Sequence, residues 1–146
     1  MVRSDQSCVF CRILMGSVPG SFIHRGELTS AFLDIRPVTS GHILVVPNDH
    51  YCDLADLPSN VATELFLTSQ QCAAALRASE LVTEGINLFY ADGAAAGQEI
   101  FHAHLHVIPR FRGDTFRVDA AWDIHPSRAE MDESADRLGE LFDAVR

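Results

Sequence analysis

The sequence predicts an α+β domain: a mainly antiparallel sheet of about five strands, one long helix and a C-terminal helix. Two observations carry that prediction. Five short segments of alternating or β-branched character are joined by short connections, and only two substantial stretches read as helices. That combination argues for strands pairing with near neighbours rather than for a parallel sheet wound through crossover helices.

Each element has its own signal. A short helix is expected over Phe10–Met15, and strands over Ser21–His24, Ala31–Asp34 and Ile43–Pro47. Pro58–Ala78 reads as the long helix, because Val61, Leu65, Cys72 and Leu76 fall on one stripe and Asp56 is placed to cap it. Two further strands, Ile86–Tyr90 and Phe101–Pro109, flank a small-residue loop, Gly93–Gly97. Ser127 and Glu130 have the spacing of a capping box and announce the last helix, whose apolar stripe is Met131, Leu138, Leu141, Phe142 and Val145. No repeat, low-complexity tract or linker interrupts the chain. Residues 1–146 therefore read as one domain with a core over about 8–110 and a C-terminal extension whose helix spans about 127–145.

Composition narrows the function. The formal charge is −9, and all eleven cationic residues are arginine. So acidic a chain is a poor candidate for a nucleic-acid or membrane surface, both of which call for a basic face. Without lysine there is no Schiff base, no lysine-nucleotidyl intermediate and no P-loop lysine. The first seven residues carry no apolar run, so no secretory signal is expected. The expected setting is then a reducing cytoplasm, with Cys8, Cys11, Cys52 and Cys72 as thiols. Cys52 and Cys72 read as small core fillers, His24 and His125 as polar surface, and Trp122 as tail packing.

Three of the seven histidines crowd into five positions, His102, His104 and His106. On a strand, residues two apart share a face, so the three imidazoles would point one way and Ala103, Leu105 and Val107 the other. Such a row could be polar surface, a zinc cluster, or a nucleophilic imidazole with flanking imidazoles for phosphoryl oxygens. The loop upstream favours the third. Asp92-Gly93-Ala94-Ala95-Ala96-Gly97-Gln98 has two glycines and small side chains, which let backbone N–H groups converge on an anion. Just ahead of the aligned histidines it implies phosphate beside imidazole.

The run G-Q-E-I-F-H-A-H-L-H-V-I-P-R, Gly97–Arg110, resembles the signature of the histidine triad nucleotide hydrolases and transferases. C-V-F-C at Cys8–Cys11, F-L-D-I at Phe32–Ile35, G-H-I-L-V-V-P at Gly41–Pro47 and then His50 follow the family's order. The resemblance implies the histidine triad fold, a homodimer and no organic cofactor. It makes His104 the nucleophile toward the α-phosphorus of a purine nucleotide derivative, braced by the backbone carbonyl of His102. His106 would contact phosphate or the leaving group, and His42 would support the site. Gly97, Gln98 and Glu99 would meet phosphoryl oxygens, with Glu99 expected to turn its side chain away and offer only its N–H. Asp34 would hold the ribose, and Val9, Phe10, Ile13, Phe32 and Ile35 would line the base pocket. It also implies a structural zinc on Cys8, Cys11, His50 and His102; on the residues alone, two buried, unlinked thiols are the alternative.

The implied reaction is cleavage of a nucleoside 5′-phosphate derivative, of phosphoramidate or acyl-nucleotide type, through a nucleotidyl-histidine. A dinucleoside polyphosphate hydrolase or phosphorylase, or a nucleotide- and zinc-binding regulatory module, are the rivals. A metal-dependent enzyme using all three histidines is a further one. Two positions depart from the commonest family pattern: Ala91 where an Asn is frequent, and Glu99 where a Ser or Thr is frequent.

Overall fold

A computed structural model describes residues 4–145. Residues 1–3 at the start of the chain, part of the stretch read for a signal segment, lie outside the described residues. The chain divides into two units, 1–116 and 117–146.

The first unit is built on a five-stranded sheet. Helix α1 (Val9–Leu14) precedes β1 (Phe22–Arg25), β2 (Thr29–Leu33) and β3 (Ile43–Pro47); α2 (Ser59–Ala78), β4 (Gly85–Tyr90) and β5 (Leu105–Arg110) follow. The strand order is β1-β2-β3-β5-β4, and every neighbouring pair is antiparallel. The expected α+β architecture is therefore the observed one.

Alternation along the central strands divides two cores. Ala31, Ile43, Val45, Leu105 and Val107 pack with Leu65, Cys72, Ala73 and Leu76 of α2. Phe32, Leu44 and Val46 point the other way and pack with Cys8, Phe10, Cys11 and Ile13 around α1. Each large apolar side chain so buried contributes about 1.5–3 kcal/mol. Both sheet faces are thus covered, one by the long helix and the other by the short one. The face opposite α2 carries the site, since His106 alternates with Leu105 and Val107.

Several boundaries differ from the sequence reading. Strand β5 begins at Leu105, not Phe101, because the Ala103 N–H donates to Tyr51 O instead of joining the ladder. His102 and His104 therefore lie ahead of the strand. Asp56 does not cap α2: the N-cap is Pro58, in extended backbone and without a side-chain cap bond. Cys52 is exposed rather than a core filler, whereas Cys72 is buried on the α2 stripe as expected.

The second unit contains α3 (Arg128–Ala144). Ser127 accepts from the Glu130 N–H while the Glu130 carboxylate accepts from the Ser127 N–H, the capping box that the spacing announced. The stripe Met131, Leu138, Leu141, Phe142 and Val145 is exposed, and Trp122 is 85% exposed, so it is not packed into the tail. Among the described residues no helix is long and apolar enough to cross a membrane.

Candidate active site and metal centre

A cavity of about 560 Å³ opens on the sheet face opposite α2. Val9, Phe10, Ile13 and Phe32 line one side of it, and Ile35 lies at its rim, 89% exposed. Asp34, His42, Gly97, Glu99, His104 and His106 also face it. All five apolar residues expected around a base are thus in one cavity with most of the expected polar set. Phe89, Ile108 and Phe116 extend its lining and were missed. Phe116 lies beyond the motif, and its only sequence signal was an aromatic close to the last strand.

His104 is oriented by its own chain. Its Nδ1 lies 2.7 Å from the carbonyl oxygen of His102, an oxygen that can only accept, so Nδ1 carries the proton and the lone pair is left on Nε2. Phe10 meets the ring edge-on at 5.2 Å between centroids. Burial holds His104 below the ordinary imidazole range, against the opposing pull of the His102 carbonyl and of Asp34. A neutral, oriented imidazole with one bare nitrogen is what nucleophilic attack requires.

His106 is set by a second chain of bonds. The Val38 N–H points at His42 Nδ1 (3.4 Å), so the neutral His42 ring carries its proton on Nε2. That Nε2–H donates to His106 Nδ1 at 2.8 Å. His106 then keeps its own proton on Nε2, a donor suited to a phosphoryl oxygen. Asp34 Oδ2 lies 3.6 Å from His42 Nδ1, beyond hydrogen-bond reach, while Asp34 Oδ1 accepts from the Arg36 N–H at 2.8 Å. Burial, then His104 and His42, push His106 down to about 4; burial also lowers His42.

The loop between β4 and β5 turns at Gly93 (φ 85°) and Gly97 (φ 87°), on either side of a 3₁₀ turn at Ala94–Ala96. Both angles fall where L side chains are strained, which accounts for glycine at each. Gln98 corrects the sequence reading. Its side chain is buried and faces inward: Oε1 accepts from the Gly93 N–H (2.8 Å), and Nε2 donates to Cys52 O (2.8 Å) and Ile100 O (3.1 Å). Its backbone N–H donates to Gly93 O. Gln98 therefore braces the loop, and neither its side chain nor its N–H is turned to a phosphate. Glu99 turns its carboxylate out toward Arg36, at 3.3 Å. Ala91 is buried.

His102 departs from its neighbours. It does not line the cavity, so the three imidazoles do not share one face. Its Nε2–H donates to Pro47 O at 2.9 Å, and its Nδ1 faces Cys8 Sγ at 3.4 Å and Cys11 Sγ at 3.6 Å. Cys11 Sγ also lies 3.3 Å from His50 Nδ1. Burial pushes the Cys11 thiol up to about 11, so it ionises here only against a cation. A tetrahedral zinc with ordinary bond lengths places S and N ligands about 3.6 Å apart, so Cys8, Cys11, His50 and His102 fit that ion. The Pro47 carbonyl fixes the tautomer in which Nδ1 would be the ligand. His102 is placed with the metal set rather than among catalytic groups.

This arrangement can be set beside known proteins. Residues 16–113 match the HIT domain, the histidine triad family model. The chain belongs to the histidine triad family. A HIT-like protein of Borreliella burgdorferi, itself uncharacterised, is 40% identical over 75% of this chain and 79% of its own length. The adenosine 5′-monophosphoramidase of Candida albicans is 28% identical over 99% of this chain and 93% of its own. Among solved structures, a Zn-bound histidine triad protein of Mycobacterium smegmatis is 38% identical, with a TM-score of 0.72 covering 96% of this chain and 98% of that one.

Proposed function

We propose that this histidine triad protein cleaves nucleoside 5′-phosphate derivatives, of phosphoramidate or acyl-nucleotide type with a purine base, at the α-phosphorus. The observation that carries the reading is the bare Nε2 of a neutral His104, locked by the His102 carbonyl and next to the donor Nε2–H of His106. His104 Nε2 bonds to phosphorus as the P–N bond breaks; the electron pair goes to nitrogen, which takes one proton from water and leaves as the amine. Water then adds to phosphorus, the P–Nε2 bond breaks back to His104, and the water's proton is released with the nucleoside monophosphate. His106 stabilises phosphoryl charge by donation. The Candida phosphoramidase among the relatives supports this substrate class.

Cys8, Cys11, His50 and His102 would hold a structural zinc, whose chemistry is to tie α1 to the segment bearing the histidines. The reading includes a cytoplasmic location and the homodimer that the family resemblance implies. The test is a panel of adenosine and guanosine phosphoramidates, acyl-adenylates and dinucleoside polyphosphates, with products identified by mass and the adduct trapped by rapid acid-free quench. A nucleotide on His104 is expected; an adduct on His102 or His106 overturns the mechanism. Preferred turnover of dinucleoside polyphosphates would make it the polyphosphate enzyme instead. Nucleotide binding with no turnover of any substrate would make it a binding module.

A further inference from the structure

We infer that Arg36 and Glu99 form a charge filter at the mouth of the cavity, one that selects against leaving groups carrying several negative charges. The inference rests on the nucleotidyl-transfer reading and names what that same site discriminates. Among the described residues Arg36 is the only arginine lining the cavity, and its Nη2 lies 3.3 Å from Glu99 Oε2. The two residues come from different segments of the lining, Arg36 from the β2–β3 connection and Glu99 from the segment ahead of β5, and the ion pair joins them. The Arg36 N–H is anchored on Asp34 Oδ1, which ties the backbone at the base of this arginine to the cavity.

The charge balance follows from the lining. His42 and His106 are held neutral, leaving Asp34 and Glu99 against Arg36. One phosphoryl group can be met by the His106 donor and neutral imidazole. A leaving group with further phosphates needs cations beyond it, and the single arginine lining the cavity among the described residues is engaged by Glu99. An amine leaving group meets no such obstacle. The pair is 83% and 77% exposed, so it adds little rigidity; its effect is on selection between charged partners.

The test uses the full chain at low ionic strength and two substrates sharing an adenosine 5′-phosphoryl group: a phosphoramidate of an uncharged-side-chain amine, and a diadenosine polyphosphate. Glu99→Gln shifts the kcat/KM ratio toward the polyphosphate by roughly tenfold, the scale of one charge acting on several at short range in water. Arg36→Gln shifts it the opposite way, and the double variant returns toward wild type. The shift collapses at about 1 M salt, where exposed charges are screened. A ratio unmoved within about twofold, or a shift that survives high salt, overturns the filter. The same ratio is read without turnover from the dissociation constants of adenosine mono- and triphosphate by calorimetry. Wild type that turns over neither substrate overturns the functional reading, whereas an unmoved binding ratio overturns the filter.

Discussion

Two members of the histidine run, His102 and His104, two residues apart, are closed in different ways. At His102 both ring nitrogens face fixed partners, Pro47 O on one side and the two cysteine sulfurs on the other. At His104 one nitrogen is held by a carbonyl and the other meets no hydrogen-bond partner among the described residues. Residue type and spacing are identical, yet one ring is suited to hold an ion and the other to attack. The difference lies in the backbone: the Ala103 N–H is diverted to Tyr51 O, and the chain there turns His102 toward α1 while His104 faces the cavity with His106. What separates the roles is the number of nitrogens already engaged.

The comparison breaks most sharply at His104. Replacing it with alanine removes the bare nitrogen and nothing at the other end. kcat for a phosphoramidate should fall by several orders of magnitude, with nucleotide affinity within roughly tenfold and zinc content unchanged. Steady-state kinetics, calorimetry and metal analysis check the three together. A loss seen mainly in affinity would move His104 from chemistry to binding.

At the metal end the expected loss is structural. The protein should hold about one zinc per chain, as a Cys₂His₂ set would. Cys8→Ser should lower zinc content and depress Tm by about 10 °C or more, because binding of the ion contributes to folding free energy. Scanning calorimetry with metal analysis reads both. A metal-free protein with an unchanged Tm would leave the cysteine pair as plain buried thiols.

How far these two ends were legible in the sequence depends on whether the signal was local. The α2 stripe and the Ser127–Glu130 box lie within a few turns of chain, and both were read correctly. The triad run with its glycine loop is local too and pointed to His104 and His106, whereas the cavity residues came from the family resemblance. Most of what failed depended on partners distant in sequence. Gln98 faces inward because Cys52 O, 46 residues away, accepts from it. The start of β5 depends on Tyr51, and no periodicity within Phe101–Pro109 reports that bond. Arg36 and Glu99 were visible as opposite charges, but nothing local joins residues 63 apart. Asp56 was placed at a cap by residue type alone, and Pro58 occupies that position.

Gln98 is the joint between the ends, so it sharpens the comparison. It ties the segment after His50 to the loop beside His104 through Cys52 O and the Gly93 N–H. Gln98→Ala strands buried polar groups and should cost about 1–3 kcal/mol of stability, measured by urea unfolding. Zinc should be retained, and kcat/KM should fall by roughly tenfold as the loop loosens. Gln98→Glu keeps the acceptor toward Gly93 but sets a buried carboxylate oxygen against the Cys52 and Ile100 carbonyls, so it should cost at least as much stability as alanine. Full stability with the same kinetic loss would return Gln98 to a direct phosphate contact.

The smallest expected effect is the response to acid, and its sign follows from burial. His106 must be neutral at Nδ1 to accept from His42, and burial with two neighbouring imidazoles holds it down to about 4. An exposed imidazole, at about 6.5, would be roughly nine-tenths protonated by pH 5.5. A lowered value keeps the neutral form to lower pH, so kcat/KM should change by less than about twofold between pH 8 and 5.5 and then fall through about 4. Asp34 pulls the other way, favouring the cation. Asp34→Asn should therefore move the acid limb to still lower pH, whatever it costs in nucleotide affinity. An inflection near 6.5 would mean that the histidines titrate as exposed groups and that the His42–His106 bond does not set the site. Zinc release would mimic an acid limb from the other end of the run, so metal content is measured at each pH. Activity lost together with zinc belongs to His102 and the cysteines; activity lost with zinc still bound belongs to His106.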